Sequence, residues 1–554
     1  MISIHACPPP ADWNSVSGNC LDSGGPAGPW SRWSYRFGAA RLYLRCEGPT
    51  GPARLFHQPT ALPGPASGPM KMPPRLRRVS VEPARLFSLS RYSGGGPGWG
   101  SAPIGSTAWT PTLPARGQPP IPLAPPGVPG EGKARQPPNK PAREFAPSST
   151  GHPAPLDDPD CPLQEWANPL DALVWMTSLC SQAPVDGPPF KGGWVGYLSY
   201  ELGRLFEHLP SRKASDSRPL FEFVFCNEVA VRGSSHPDQF LSIRCENPGA
   251  HPLLFAGPAV ADPLPLRSNF TREDYEAAVA RAIEYIRAGD VFQVNLSQRF
   301  TTGLAQDPRE IYRRLRQQSP AWFGAFLQFP NRALICNSPE LFLRVTPERD
   351  SKARRVITRP IKGTRPRGPG MDMALRDSAK DQAELHMIVD LERNDLGRVC
   401  RIGSVKVTEP RIIEAHPTVY HGAATIEGIL RDDVSFVDLL RATFPGGSIT
   451  GAPKIRAMQI IDELEPGCRG PYCGAIGYLS VDGHMEFNVA IRTMIVEDAT
   501  IHIPVGGGIV ADSVPADEYE ETLLKAKALF AALGVATISG NAPISHSHEQ
   551  KPDS

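Results

Sequence analysis

Arg355-Val356-Ile357-Thr358-Arg359-Pro360-Ile361-Lys362-Gly363-Thr364 is the stretch on which the reading turns. Val356, Ile357 and Thr358 have strand character, and Pro360 lacks the N–H that a central strand needs, so regular pairing is interrupted just before Lys362. A lysine amine attacks carbon only when neutral, so a nucleophilic Lys362 needs its pKa, ~10.4 in water, lowered by burial or by neighbouring positive charge. Arg354, Arg355, Arg359, Arg365 and Arg367 flank it, and such a lysine is ordinarily a solvated group in a basic turn. The segments on either side decide between these readings.

Upstream, Thr271-Arg272-Glu273-Asp274 has the hydroxyl cap and acidic first turn of a helix, continued by Tyr275, Val279, Ile283 and Ile286 until Gly289 stops it. Phe292, Val294 and Leu296 then alternate with Gln293, Asn295 and Ser297, which predicts a strand with one polar face. Gly192–Tyr200, Trp322–Phe329, Ala333–Cys336 and Leu341–Val345 read as further strands. Asp381–Val399 reads as a helix. Downstream, Gly474–Val481 and Met485–Glu497 read as strands joined by a hairpin at Asp482-Gly483, and a last helix starts near Asp517 and passes Phe530. Strand-rich runs with interspersed helices predict an α+β fold, a large antiparallel sheet sandwich flanked by helices.

The 554 residues carry 58 Lys and Arg against 57 Asp and Glu, a balance of +1 that points to no particular partner. Residues 51–150 alone hold 12 basic and 3 acidic side chains, +9. Residues 41–154 are rich in Pro, Gly and Arg, as in Gln118-Pro119-Pro120-Ile121-Pro122, and read as disordered. Their arginines are dispersed and accompany no folded nucleic-acid motif, so no nucleic-acid partner is expected. Residues 1–40 read as an early strand region, 155–534 as the catalytic domain, and 535–554 as a polar tail. The 11 cysteines form no CxxC pair, which argues for a reducing cytoplasm and against zinc. No run has the ~18 apolar residues of a membrane helix, and Met1–Trp13 is not a leader, so no membrane partner is expected.

Glu384, in Asp381-Gln382-Ala383-Glu384, and Glu521, in Glu518-Tyr519-Glu520-Glu521, are glutamates on separate helices; brought together they can hold a magnesium ion, which commonly takes one or two carboxylates plus substrate oxygens and water. Either alone is an ordinary helix residue, and Glu521 can simply pair with Lys525. Phe444–Lys454, which contains Ser448 and Thr450, and Pro504–Val510 read as glycine-rich loops whose amides can approach a carboxylate. Neither has the glycine spacing of a nucleotide site, so ATP and dinucleotides are not expected. Arg492, on the expected strand, offers a planar fork for a carboxylate.

Six segments in order, Phe292–Arg299, Ser338-Pro339-Glu340, Pro360-Ile361-Lys362-Gly363-Thr364, Ile388–Asp395, Gly451-Ala452-Pro453-Lys454 and Gly506–Ser513, resemble those of the chorismate-utilising enzymes over about 160–534. Leu21-Asp22-Ser23 to Trp33-Ser34-Tyr35 resembles an early strand region of the same family. Within it the chain is most similar to the aminodeoxychorismate synthase branch, because anthranilate synthases typically carry alanine where Lys362 stands. Isochorismate and salicylate synthases have a water-activating lysine where this chain has Gln293, so the resemblance argues against water as nucleophile.

The resemblance implies conversion of chorismate to 4-amino-4-deoxychorismate for para-aminobenzoate and folate synthesis. Glu340 would be the general acid, Lys362 the covalent nucleophile, and His421 a residue near the reacting hydroxyl. Glu384 and Glu521 would hold Mg2+. Arg492 and Tyr478 would hold the enolpyruvyl carboxylate, with Lys525 and the amides near Gly506 and Gly508 on the ring carboxylate, and Ser448 and Thr450 in the substrate loop. The family often has Ser or Thr where Ala424 stands, which implies one polar contact fewer. No Gly-x-Cys-x-Gly amidotransferase nucleophile is present, so ammonia is expected from a separate glutamine amidotransferase subunit. The rival within the family is anthranilate synthase component I. A rival of another class is a relic synthase domain whose basic 51–150 segment binds nucleic acid; steeply salt-dependent DNA binding without chorismate turnover would mark it.

Overall fold

Gly193–Leu198 is a strand buried along its whole length, as its nearly continuous apolar sequence requires of a central strand. Its antiparallel neighbours are Ala475–Ser480 on one side and Pro219–Cys226 on the other. The computed structural model describes residues 2–7, 20–22, 33–37, 40–47, 51–56, 164–207, 218–233, 240–245, 265–349 and 351–535, with the single positions 209, 258 and 260. Within these, two antiparallel sheets of 12 strands each face one another.

The first sheet runs Ile2–Cys7, Phe240–Cys245, Glu228–Gly233, Trp33–Phe37, Cys20–Asp22, Phe323–Phe329, Arg332–Ser338, Thr493–Glu497, Thr500–Ile509, Gln293–Gly303 and Arg267–Ser268, with Gly451–Ala452 beside the start of Gln293–Gly303. The second runs Ile361–Pro366, Val419–Ile429, Arg354–Arg359, Leu341–Pro347, Met485–Val489, Ala475–Ser480, Gly193–Leu198, Pro219–Cys226, Ala40–Glu47, Ala53–Phe56 and Gln164–Trp166, with Lys406–Ala415 also on Val419–Ile429. One apolar cluster joins them. Tyr197 of the second sheet meets Phe329 of the first edge to face at 5.5 Å, and Tyr478 meets Tyr35 at 6.0 Å. Glu222, buried in this core, accepts hydrogen bonds from the Tyr43 and Tyr197 hydroxyls and pairs with Arg332 at 2.6 Å, which is how a core carboxylate is tolerated.

Helix Arg272–Arg287 has the expected cap, Thr271 accepting from the Asp274 amide at 2.9 Å. The expected Asp381–Val399 helix runs Ala379–Gly397 with Ser378 as its cap, and the last helix is Pro515–Leu533. The Asp482-Gly483 hairpin joins Ala475–Ser480 to Met485–Val489, and Gly483 has φ +85, a conformation glycine adopts at no steric cost. Among the described residues no helix is long and apolar enough to cross a membrane.

Two expectations need correction. Met485–Glu497 is not one strand: Met485–Val489 belongs to the second sheet and Thr493–Glu497 to the first, and Arg492, at φ +50, turns the chain between them. Continuous strand propensity conceals such a crossover, because each half is a good strand. The ordered early region also does not stop at residue 40. Ala40–Glu47 pairs with Pro219–Cys226 and Ala53–Phe56 pairs with it in turn, burying Leu44, Cys46, Ala53 and Leu55. These partners lie far away in sequence, so the local Pro and Gly content misled. The rest of the stretch read as disordered, 48–50 and 57–154, and the tail beyond Val535 lie outside the described residues.

The Lys191–Asp482 ion pair, 2.7 Å with both side chains fully buried, ties the start of one central strand to this hairpin. Lys191→Met leaves Asp482 buried without its cation and is expected to cost about 3–5 kcal/mol, read as the shift in urea-unfolding midpoint. Adding Asp482→Asn returns part of that loss if the ion pair is its cause.

Candidate active site

Two of the connections that pass between the sheets lie side by side. Glu340 stands between Arg332–Ser338 and Leu341–Pro347, and Arg492 stands between Met485–Val489 and Thr493–Glu497. Asn337 N–H donates to the Arg492 carbonyl at 3.0 Å and Val489 N–H to the Glu340 carbonyl at 3.0 Å, so backbone bonds lock the two connections together.

Strand Gln293–Gly303 collects the glycine-rich segments. Gln293 and Val294 pair with Ala452 and Gly451, while Asn295 and Ser297 lie opposite Gly508 and Gly506. Gly506–Gly508 therefore belong to strand Thr500–Ile509, not to the loop expected from their composition. Asn295 N–H donates to the Thr450 carbonyl and Ser297 N–H to Glu465, so Gly508 and Gly506 turn their own amides to the strand's other edge. Lys525 Nζ meets the Gly506 carbonyl there at 2.9 Å. Close approach explains the glycines: a Cβ on Gly508 would stand 2.9 Å from Gln293 Nε2 and 3.3 Å from Lys362 Nζ, and one on Gly507 would stand 3.2 Å from Glu518 Oε2. The Gln293 amide is fully buried beside Lys362, with neither polar atom hydrogen-bonded.

Lys362 lies on Ile361–Pro366, whose register against Val419–Ile429 slips between Ile361 and Thr364. Gly363 adopts φ +82 within that bulge, which redirects the preceding side chain. Lys362 Nζ reaches the Ser448 carbonyl at 3.4 Å. Burial lowers its pKa, aided by Lys525 and opposed by the charges of Glu384, Glu340 and Glu521. Glu340, 3 % exposed, accepts from the Ile361 amide at 3.4 Å. Burial pushes its carboxyl up to about 7, against the pull of Ser448, Lys362 and Ile361. Lys362 and Glu340 are thus neighbours, and burial moves each toward its neutral form.

Glu384 and Glu521, from different helices, both lie near enough for their charges to act on Lys362. Burial raises the Glu384 carboxyl. In Glu521 burial is outweighed by Lys525, paired at 2.5 Å, with help from Lys380 and Lys362, and the carboxyl stays below its usual range. Glu518, one helical turn before Glu521, was not anticipated, although that spacing puts both on one helix face. Its Oε1 accepts from Ser513 at 2.6 Å while its buried Oε2 has no partner. An orphaned carboxylate oxygen near the Glu521 carboxylate has the donor chemistry that a divalent cation takes. Among the described residues no group of three or more His, Cys, Asp and Glu is placed to hold a metal ion.

Arg492 donates to the Lys525 carbonyl at 2.7 Å, and burial lowers its pKa against Tyr472 and Glu521. Tyr478, expected beside it, is elsewhere: its ring packs on Phe190 at 4.9 Å and Tyr35 at 6.0 Å in the core between the sheets. Tyr472, buried next to Arg492, takes the expected place; no local sequence signal separates the two tyrosines. His421 lies opposite Thr364, with Nδ1 2.9 Å from Thr364 Oγ1. Burial, with His416 and Arg492, pushes its pKa down to about 3, so it acts as a neutral ring. Ser448 faces Glu340, but the Thr450 hydroxyl turns inward to the Gly446 carbonyl at 2.9 Å and shapes the loop instead of lining it. Ala424 is fully buried, its N–H donating to Pro360.

This chain is a member of the chorismate binding enzymes: residues 159–531 match the model of that family. Its relatives fall on both sides of one functional division. It is 41 % identical over 397 residues to anthranilate synthase component 1 of Thermus thermophilus, covering 67 % of this chain and 84 % of that one. It is 41 % identical over 373 residues to aminodeoxychorismate synthase component 1 of Klebsiella aerogenes, covering 65 % and 81 %. Among solved structures, anthranilate synthase component I of Streptococcus pneumoniae superposes with a TM-score of 0.55 at 31 % identity, over 65 % of this chain and 85 % of that one.

Behind Glu340, Glu392 is buried and accepts from Thr358 at 2.8 Å. Burial, reinforced by Glu340 and Asp395, pushes its carboxyl up to about 8 despite Thr358 and Lys454. The folded state therefore holds this proton more tightly than the unfolded chain. The stabilisation is complete below the unfolded value of ~4.3 and is lost as pH rises through about 8. Glu392→Gln does not titrate there, so its stability relative to wild type is expected to rise between pH ~5 and ~8, by at most about 1.4 kcal/mol per unit. Urea denaturation across that range checks this; a constant gap contradicts it.

Proposed function

We propose that this chain aminates chorismate to 4-amino-4-deoxychorismate through a covalent adduct on Lys362. The observation that carries the reading is the Lys362 amine, its pKa lowered by burial, close to Glu340, whose carboxyl burial pushes up to about 7, at a position where the family resemblance expects alanine in anthranilate synthases. Glu340 protonates the ring 4-hydroxyl, which leaves as water while the neutral Lys362 amine bonds to ring carbon 2 and the double bond shifts. Ammonia then adds at carbon 4, the double bond shifts back, and lysine departs as a neutral amine. A proton from the new ammonium group restores Glu340, so the sum is chorismate plus ammonia giving aminodeoxychorismate plus water.

Arg492 with Tyr472, and Lys525 with the free amides of Gly506 and Gly508, would bind the two substrate carboxylates. Glu384 and Glu521, supported by Glu518, would hold a magnesium ion whose charge neutralises the ring carboxylate. The neutral His421 ring beside Thr364 would hydrogen-bond the reacting hydroxyl. Ammonia would be supplied by a separate glutamine amidotransferase subunit, a division of labour consistent with relatives named as component 1. Product formation would then serve para-aminobenzoate and folate synthesis in the cytoplasm.

The second reading, anthranilate synthesis, is supported by equally similar relatives of that name. Incubation with chorismate, Mg2+ and ammonium is expected to give aminodeoxychorismate and no fluorescent anthranilate; anthranilate without an added lyase would exclude the proposal. Lys362→Ala is expected to lower turnover on the order of 10³-fold or more, with loss of the substrate adduct that mass spectrometry detects on wild type at low ammonia. A variant with the wild-type rate would exclude covalent catalysis.

A further inference from the structure

The residue between the two halves of the cleft is Arg469, 5 % exposed and assigned no role above. Its guanidinium donates to the Ile449 carbonyl at 3.0 Å, to the Asn295 carbonyl at 2.9 Å and to Glu465 at 2.6 Å. The Tyr200 ring lies under it at 4.7 Å. Its backbone is fixed as well, because Glu201 accepts from the Arg469 amide at 2.8 Å and from the Gly470 amide at 2.9 Å. One planar cation thus grips strand Gln293–Gly303 and the turn Gly447–Ile449 together. Next to Ile449, Ser448 presents its carbonyl to Lys362 Nζ at 3.4 Å, and its buried hydroxyl lies close to Glu340 without completing a hydrogen bond.

We propose that Arg469 is a positioning residue for the reaction: by holding the Ile449 and Asn295 carbonyls in one fork, it fixes Ser448, and through Ser448 the spacing of Lys362 and Glu340. The geometry supports this role over simple core filling. Glu465 alone satisfies the charge of Arg469, and an aliphatic pair can replace a buried ion pair at little cost. What only a five-donor planar fork supplies is simultaneous bonds to two carbonyls on separate segments. Lysine, a point donor on a flexible stem, reaches one of them at a time.

The inference rests on the roles given to Lys362 and Glu340, and its test keeps the two apart. Purified wild type and Arg469→Lys are compared for steady-state amination of chorismate with ammonium as donor, across pH. The expected result is a fall in kcat on the order of 10–100-fold with KM for chorismate little changed, since displacement of reacting groups by about 1 Å costs that much. The alkaline limb, set by ionisation of Glu340, is expected to move to lower pH as water reaches the loosened loop. A folded variant with wild-type kcat and limb overturns the proposal. So does a loss of rate that merely follows the folded fraction and leaves the limb in place.

If Arg469→Lys does not fold, the double variant Arg469→Met with Glu465→Gln removes both buried charges together and is held to the same two readouts. Failure of both to fold makes Arg469 a residue of stability alone and also overturns the proposal. A wild type that forms no covalent lysine adduct defeats the catalytic reading instead, while the effect of Arg469 on the limb can still be read.

Discussion

Burial opposes the charge on two neighbouring groups, the Lys362 amine and the Glu340 carboxyl, and the proposed chemistry needs both of them neutral. In water both would be ionised at neutral pH. Burial opposes both charges and pushes the two pKa values toward each other, while their mutual attraction favours the ion pair. Burial is the largest influence on each. Close packing surrounds them: a Cβ on Gly508 would meet the Gln293 side chain, one on Gly506 the Leu296 carbonyl and one on Gly422 the Lys362 carbonyl, while Leu375 and Asp381 close over Gly363.

The two-sheet architecture makes that packing possible. Glu340 and Arg492 sit on adjacent crossovers between the sheets, where regular pairing ends but backbone bonds still anchor the chain. Lys362 is delivered by a bulge in one sheet and the glycine strand by the other. Carboxylates come from two helices: Glu521 pairs with Lys525 at 2.5 Å, and Lys362 and Lys380 draw the Glu384 carboxyl down against its burial. Substrate carboxylates and a cation would replace these internal pairings, a substitution in which charge is conserved.

Much of this was legible in the residues. The cap at Thr271, the hairpin at Asp482-Gly483 and the alternation from Phe292 to Ser297 are local signals, and local hydrogen bonding realises them. The gathering of Lys362, Glu340, Glu384 and Glu521 came from the resemblance, since no spacing brings together residues up to 181 positions apart. Three things were not legible for physical reasons. A sheet-to-sheet crossover at Arg492 looks like unbroken strand, because each sheet favours the same residue types. Triple glycine looks like a loop, whereas here it permits close packing in a strand. Tyr472 and Tyr478 have equal local credentials, and only the fold puts one in the cleft and the other in the core.

The account stands most directly on the protonation of one amine. Pulse acylation of the intact protein at a series of pH values, with Lys362 quantified by mass spectrometry against surface lysines, yields its titration curve. The account predicts that Lys362 titrates below the ordinary lysine range of ~10.4, and that Glu340→Gln lowers it further by removing a favourable negative charge. A Lys362 that titrates together with the exposed lysines in both proteins would contradict it.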